Sequence, residues 1–428
     1  MSTSSDDKEV VLNSPMKILL ASLIGTTIEY FDFYIFGTAA VLVFPKLFFS
    51  ASDPSMAILQ SLATFGLAFV ARPVGSALFG HFGDRIGRKA TLVASLLTMG
   101  LSTIFIGLLP SYASIGMAAP VLLAVFRFGQ GLGLGGEWGG AILLATENAP
   151  ANKRAWYGSF PQLGGPIGFF LSGSVFLTLT TQMPEADFLE WGWRIPFVSS
   201  ALLVLVGLYV RLNISETPEF QKVMALKARV KVPIVTVVTQ HTRSMLLGMG
   251  SGLGQFVLFY LMTVFTLSWA TSSLGYKRQD FLVLQLIAVV FFALFIPIAA
   301  KISDKFGRTT ALTWGAVGIV VLGLFLGPML QAGSFTTVLA LSIGMALMGM
   351  CFGPLGFLMA ELFPTEVRYT GASLSFNLSA IAGASFAPYI ATWLATNHGL
   401  QYVGYYMSGM ACISVLSLLA VRKHKAND

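Results

Sequence analysis

The sequence predicts an all-α membrane protein in which twelve transmembrane helices form two pseudo-symmetric six-helix bundles. The first observation is composition: 55% of the 428 residues are hydrophobic and only 11% are charged, too few to cover a water-facing surface. The second is the presence of twelve apolar runs, each near the length of about 17 to 25 residues that a membrane span requires. The third is a pair of polar motifs that recur half a chain apart, which indicates a duplicated architecture.

Each apolar run is expected to be a helix, because lipid offers no hydrogen-bond partners to an exposed backbone. The runs lie near 17–43, 56–79, 91–109, 119–146, 157–180, 195–212, 245–271, 281–300, 310–327, 335–360, 371–395 and 401–421. The predicted division is a tail at 1–16, a first bundle at 17–212, a linker at 213–240, a second bundle at 241–421 and a tail at 422–428.

The repeated motifs lie where spans are predicted to end, on one side of the membrane. The first is Gly80-x-x-x-Asp84-Arg85-x-Gly87-Arg88, which returns as Ala300-x-x-x-Asp304-Lys305-x-Gly307-Arg308; the second is Glu147-x-x-Pro150-x-x-x-Arg154, which returns as Glu361-x-x-Pro364-x-x-x-Arg368. Their acidic and basic groups could pair across helix ends when that side closes. We therefore predict a gate formed by Gly80, Asp84, Arg85, Gly87, Arg88, Glu147, Arg154, Asp304, Gly307, Arg308, Glu361 and Arg368.

The distribution of Lys and Arg predicts the orientation. Twenty of the 26 basic residues fall on the side that would hold both termini, and only Lys46, Arg194, Lys277 and Arg278 fall on the other. Both termini are therefore expected in the cytoplasm. This bias also explains the net charge of +7 without nucleic acid, although the basic loop 222–231 is also compatible with a polybasic lipid or nucleic-acid contact.

Span one carries two carboxylates, Glu29 and Asp32, which share one helix face at i and i+3. A charge near the middle of the bilayer costs about 2.5 to 3.5 kcal/mol on insertion scales, so it is retained for a partner, an ion or a proton. A structural salt bridge between helices is the alternative for each. In span two, Arg72 is predicted to be either an intramembrane counter-charge for span one or a substrate contact.

Span four carries Arg127, Gln130, Glu137 and Trp138 on one helical stripe. Arg127 and Asp32 fall at similar depth on helices of opposite direction, so they are predicted to face each other. The many glycines between Gly129 and Gly140 suit close helix packing better than a nucleotide loop, because no strand precedes them. In span five, Pro161 and Pro166 are expected to bend or open the helix.

The spans of the second half contain no charged residue in their interiors. The position that corresponds to Arg127 is Leu341, and the one that corresponds to Glu137 is Cys351. The second bundle is therefore expected to offer only neutral contacts, such as Gln255, Tyr260 and Asn377. No cofactor or metal site is predicted, and no nucleophile and base are paired as an enzyme would require.

The motifs resemble the major facilitator superfamily. Gly80-x-x-x-Asp84-Arg85-x-Gly87-Arg88-Lys89 is similar to its signature between spans two and three, and Arg127-x-x-Gln130-Gly131 to its span-four signature. Segments 29–33, 133–140 and 191–197 resemble the bacterial metabolite:proton symporter branch, which holds shikimate, α-ketoglutarate, citrate and proline/betaine transporters; the likeness is greatest to shikimate-type members and members of unassigned substrate. The Gly164-Gly165-Pro166-x-Gly168 segment also resembles a span-five pattern of antiporters.

The resemblance implies a monomeric secondary transporter of the bacterial inner membrane, whose partners are a proton, a small metabolite and lipid. We predict uptake of an organic acid or zwitterion by proton symport. The alternative is an antiporter that exports a metabolite or drug. The proton-coupling candidates are Asp32, Glu29 and Glu137. The substrate-binding candidates are Arg127, Gln130, Tyr30, Tyr34, Trp138, Gln162, Gln255, Tyr260 and Asn377.

Overall fold

The computed structural model describes residues 14–49, 54–86, 88–213 and 233–425. Twelve helices in these ranges are long and apolar enough to cross a membrane, which confirms the predicted number of spans. We label them α1 Pro15–Leu42, α2 Pro54–Arg85, α3 Arg88–Leu108, α4 Ala118–Glu147, α5 Arg154–Gln182, α6 Arg194–Leu212, α7 Thr242–Ser272, α8 Arg278–Phe306, α9 Arg308–Gln331, α10 Ser334–Glu361, α11 Arg368–Asn397 and α12 Leu400–Lys425. An even number of spans places both ends of the chain on one face, called here the termini face; the opposite face is called the distal face.

Several connections are themselves helical. Short helices cover Phe44–Leu47, Tyr112–Ile115 and Glu185–Asp187, all on the distal face. A further helix, Pro233–Gln240, lies within the predicted linker and leads into α7. The rest of that linker, 214–232, and both chain tails except residues 14–16 and 422–425 lie outside the described residues.

Close packing within the first bundle depends on glycine, as predicted for span four. A Cβ placed on Gly131 would lie 2.7 Å from the Cα of Ala68 on α2, and one on Gly133 would lie 2.7 Å from the carbonyl oxygen of Ser95 on α3. No real Cβ sits that close to backbone, so α4 approaches both neighbours only because these positions lack a side chain.

The two prolines of span five do not interrupt α5, which runs as one helix from Arg154 to Gln182. The helix therefore does not open at these prolines, whereas the bend that was expected as the alternative stays a prediction. Thr26 of α1 donates a hydrogen bond of 2.7 Å to the carbonyl of Pro161. Gly164 and Gly168 face the backbone of α1 at distances that no Cβ would tolerate, so the glycines of this segment serve packing between α1 and α5.

The two bundles meet chiefly where α2 and α4 pack against α11 and where α5 packs against α8 and α10. The second bundle contains two π-helical turns, at Leu261–Phe265 in α7 and Ile381–Ser385 in α11. Gln285 of α8 donates to the carbonyls of Met262 and Thr263, at 3.1 and 2.7 Å, and so supports the backbone of the turn in α7. π-turns inside helices are frequent at functional sites.

Candidate proton and anion site

Six charged side chains are buried inside the first bundle, and the most exposed of them, Arg211, retains only 6% of its accessible surface. They are Glu29 and Asp32 on α1, Arg72 on α2, Arg127 and Glu137 on α4, and Arg211 on α6. Burying a charge costs several kcal/mol unless it is paired and hydrogen-bonded. The partners of each side chain therefore indicate which groups are structural and which are free to bind a proton or an anion.

Asp32 is surrounded by hydroxyl groups. Its Oδ2 accepts a hydrogen bond of 2.7 Å from Ser200 of α6, and the Thr103 hydroxyl of α3 lies near this carboxyl. Its Oδ1 atom has no hydrogen-bond partner among the described residues. A fully buried carboxyl group without a cation beside it can be neutralised by a proton, which is the chemistry of a proton-coupling site.

Arg127 lies at a similar depth, nine residues into α4, while Asp32 lies ten residues before the end of α1. Its Nη1 donates to Oε1 of Gln130 at 2.9 Å, and its Cζ stacks on the rings of Phe33 and Phe36, 4.5 and 3.9 Å from their centroids. Its Nη2 is buried without a hydrogen-bond partner in the described part of the chain. Arg127 therefore keeps an unused edge that could bind an anion.

The predicted direct pairing of Asp32 with Arg127 is not present in this conformation: no ion pair joins these two residues. A row of polar side chains lies between them. Gln130 accepts from Arg127, its Nε2 donates to Oγ1 of Thr103 at 2.7 Å, and the Thr103 hydroxyl lies near Asp32. Thr103 and Ser200 were not predicted as site residues, because hydroxyl residues are common in apolar helices and carry no charge signal.

Glu137 forms an ion pair with Arg211 of α6 and none with Arg72. Arg211 also donates to the carbonyl of Leu92. Gly25 leaves room for this guanidinium, because a Cβ there would lie 2.9 Å from its Nη2. Arg211 was not among the predicted site residues, although its position just inside the apolar run at 195–212 is a signal of burial.

Glu29 and Arg72 form no ion pair with any residue that the structure describes. Oε2 of Glu29 and Nε of Arg72 have no hydrogen-bond partner in the described ranges. Arg72 stacks on Phe33 and Phe69, with its Cζ 4.6 and 4.9 Å from the ring centroids. Arg72 and Arg211 are the cations that interact electrostatically with Glu29, although neither forms an ion pair with it.

A narrow cavity of about 30 Å³ lies between the bundles, on the distal side of these charges. Two of the predicted substrate residues, Tyr34 and Tyr260, line it, together with Phe65, Phe169, Thr263 and Gln285. Tyr30 lies beside it and stacks on Tyr34 at 5.7 Å. Asp32 and Arg127 lie one layer behind the lining, because Phe65 borders the cavity on one side and stacks on Arg127 on the other.

Three of the remaining predicted substrate residues, Trp138, Gln162 and Asn377, join the two bundles toward the termini face. Trp138 donates to Oε1 of Gln162 at 3.0 Å, and Gln162 donates to the carbonyl of Phe352 at 2.7 Å. Trp138 also stacks on Phe376 with ring centroids 3.7 Å apart. The other two predicted residues differ: Asn377 donates to Ser76 at 2.6 Å, whereas both polar side-chain atoms of Gln255 are buried without a partner among the described residues.

The predicted gate residues of the second half contact the first bundle at the termini face. The Asp304 carboxylate accepts from the backbone N–H groups of Ala155 and Trp156, at 3.2 and 3.1 Å. It thereby caps the N-terminus of α5, where a negative charge is favourable. Gly307 ends α8 with φ of 97°, a left-handed conformation that favours glycine.

The second repeated motif, Glu147 to Arg154 and its copy Glu361 to Arg368, also contributes to the termini face. Arg308 forms an ion pair with Glu361 and stacks over Phe357 at 5.1 Å. A cavity of about 200 Å³ is lined by Glu147, Arg154, Glu361 and Arg368. Gly80 faces Thr370 of α11. The side chains of Asp84, Arg85 and Arg88, together with Gly87, lie outside the described residues.

Comparisons with known proteins agree with this architecture. The sequence profile of the Major Facilitator Superfamily matches residues 22–384. The chain is 56% identical over 414 residues to the inner membrane metabolite transport protein YhjE of Escherichia coli K12, covering 95% of this chain and 94% of the relative. It is 35% identical over 431 residues to the shikimate transporter of the same organism, covering 99% and 98%.

Among solved structures, the proton:xylose symporter XylE bound to 6-bromo-6-deoxy-D-glucose matches with a TM-score of 0.75 and 20% identity, covering 96% of this chain and 95% of that one. At that identity the match shows a shared fold. These relatives are transporters and not enzymes. The profile match and the extent of the sequence identity lead to one conclusion: the chain belongs to the major facilitator superfamily, as a multi-pass membrane transporter of small metabolites.

Proposed function

We propose that this protein takes up a small organic acid or zwitterion together with a proton, by alternating access. In this proposal Asp32 binds the proton and Arg127 binds a carboxylate of the substrate. The termini face is cytoplasmic, as the excess of Lys and Arg on that side favours, and the membrane is the bacterial inner membrane.

The observation that carries the proposal is the row of polar side chains between Asp32 and Arg127: the Thr103 hydroxyl lies near Asp32 and accepts from Gln130, and Gln130 accepts from Arg127. It links a carboxyl group that has no cation to a guanidinium that has no anion. Neither group is needed to neutralise the other through direct contact, so each remains able to accept a transported partner. The Glu137–Arg211 pair is already neutral and is assigned a structural role here.

Coupling follows from electrostatics. While the guanidinium of Arg127 is uncompensated, its positive charge favours the ionised form of the Asp32 carboxyl group. A substrate carboxylate that binds Arg127 cancels this charge, and proton binding to Asp32 then becomes more favourable. By linkage, a proton on Asp32 favours binding of the anion to the same extent.

Transport requires the bundles to move apart. A cavity of about 30 Å³ is too small for a metabolite, and Phe65 separates its lumen from Arg127. We propose that opening toward the distal face widens this cavity and displaces the aromatic side chains, while Asp304, Arg308 and Glu361 keep the termini face closed. A proton on Asp32 and an anion on Arg127 neutralise each of the two groups locally, which lowers the cost of enclosing them again.

Uptake into proteoliposomes tests the proposal. Purified protein is first screened by thermal shift against shikimate, succinate and glycine betaine, and uptake of the probe with the largest shift is measured with an inwardly directed proton gradient. Wild-type protein and an Asp280→Asn control, changed at an exposed carboxyl, should both accumulate the probe. Asp32→Asn should abolish accumulation. Efflux driven by the same gradient would indicate an antiporter and contradict the proposal.

A further inference from the structure

Arg72 is a second buried cation that lacks an anion. It retains 5% of its accessible surface and stacks on Phe33 and Phe69, but it forms no ion pair with a described residue. Its Nε atom has no hydrogen-bond partner there. Burying a positive charge costs several kcal/mol unless a negative charge compensates it. Arg72 therefore has the properties of a second anion-binding group.

Arg72 and Arg127 share one aromatic ring. Their Cζ atoms lie 4.6 and 4.5 Å from the ring centroid of Phe33, so the two carbons are no farther apart than the sum of these distances. Arg127 also stacks on Phe36, which lies one turn of α1 from Phe33 toward the distal face. Arg72 interacts electrostatically with Glu29, which lies one turn from Phe33 toward the termini face. The two cations thus follow the axis of α1, and their mutual repulsion adds to the need for anions.

Two acids accompany these two cations without pairing with them. The charged groups that act on Glu29 are Arg72 and Arg211, and Asp32 accepts from the hydroxyl of Ser200 but forms no ion pair with a described residue. Glu137 and Arg211 neutralise each other. The second bundle adds no charge within its spans. Two protons on the acids and two negative charges on the arginines would make the enclosed site neutral.

Building on the proposed function, we propose that the substrate is a short dicarboxylate, with one carboxylate bound by Arg127 and the other by Arg72. Two protons travel with it, one on Asp32 and one on Glu29, so that transport is electroneutral. A phosphate monoester carries its two charges on one compact group. Two guanidiniums that come from different helices and share a ring suit two separated carboxylates better.

Proton counting on wild-type protein tests this inference without a variant. Malonate, succinate, glutarate and adipate are added to purified protein in weakly buffered solution, and proton uptake per bound probe is read with a pH-sensitive dye. We expect two protons for the diacid that binds most tightly. One proton, or equal binding of that diacid and its half-amide, would overturn the inference.

Variants assign the two subsites. Glu29→Gln and Asp32→Asn should each reduce the count from two protons to one, and Asp280→Asn should leave it at two. Arg72→Gln should weaken binding of the diacid at least tenfold and binding of the half-amide less than twofold. If half-amides enter proteoliposomes with one proton and Arg72→Gln changes nothing, proton symport stands and the dicarboxylate inference fails. If no acid enters with protons, both proposals fail.

Discussion

At the scale of the residue, Thr103 is the side chain that connects the proton site with the anion site. Removing its hydroxyl with Thr103→Val would leave Nε2 of Gln130 without its acceptor and take away a hydroxyl near Asp32. A buried donor left without a partner costs about 1 to 3 kcal/mol, so we expect gradient-driven uptake to fall about tenfold. Initial rates in proteoliposomes measure this effect.

Thr98 provides the matched control for that variant. Its hydroxyl donates to the carbonyl of Ala94 in the same helix, and the residue is half-buried, away from the charged site residues. Thr98→Val should therefore transport at close to the wild-type rate. If Thr103→Val also retains that rate with an unchanged dependence on the proton gradient, the row of polar side chains between Asp32 and Arg127 does not couple the two sites.

The Glu137–Arg211 pair gives a residue-scale prediction for stability. Removing one partner leaves a buried charge uncompensated and typically costs about 3 to 5 kcal/mol. Arg211→Gln should accordingly lower the Tm of the purified protein, and adding Glu137→Gln to it should restore much of the loss. A double variant that is less stable than Arg211→Gln alone would show that the pair is not the source of the effect.

Sequence identified most charged residues of the site, but not their partners. Asp32, Glu29 and Arg127 were recognisable because a charge in an apolar run is costly and therefore conspicuous. The partner of Glu137 was not predictable, because the contact with Arg211 spans α4 and α6 and depends on how closely Gly25 lets α1 approach. The neutral residues Thr103, Ser200 and Phe33 acquire their roles only through the three-dimensional packing.

At the scale of the element, α4 owes its position to glycines that face backbone. Gly131→Ala would place a methyl group 2.7 Å from the Cα of Ala68, and overpacking of this kind costs about 1 to 3 kcal/mol. We expect a lower Tm and, because Arg127 and Gln130 are adjacent on the same helix, weaker binding of the transported acid. Both are measured by thermal shift with and without the probe.

The control for the glycine variant is Gly409→Ala in α12, where an added Cβ would meet nothing within 4 Å. Alanine is the better helix former by about 1 kcal/mol, so this variant should be as stable as the wild type or more stable. Equal losses of stability in both variants would contradict the assignment of Gly131 to close helix packing.

The helix count of the fold was predictable from apolar runs, whereas the unbroken course of α5 through two prolines was not, because it depends on its contacts with α1.

At the scale of the whole molecule, the bundles are joined near the termini face by contacts that must break for alternating access. Asn377 of α11 donates to Ser76 of α2 at 2.6 Å. Replacing both by cysteine, after removal of native Cys351 and Cys412, allows a short bifunctional thiol reagent to hold this contact closed. We expect cross-linking to stop uptake and reduction of a cleavable linker to restore it. Full transport by the cross-linked protein would contradict the closing role of this face.

Accumulation of the transported acid by Asp32→Asn protein tests the central claim most directly. The variant should retain exchange of labelled for unlabelled acid across the proteoliposome membrane, because exchange needs anion binding and movement of the bundles but no net proton transfer. It should lose accumulation driven by a proton gradient. Accumulation at the wild-type level would contradict the claim that Asp32 carries the coupling proton.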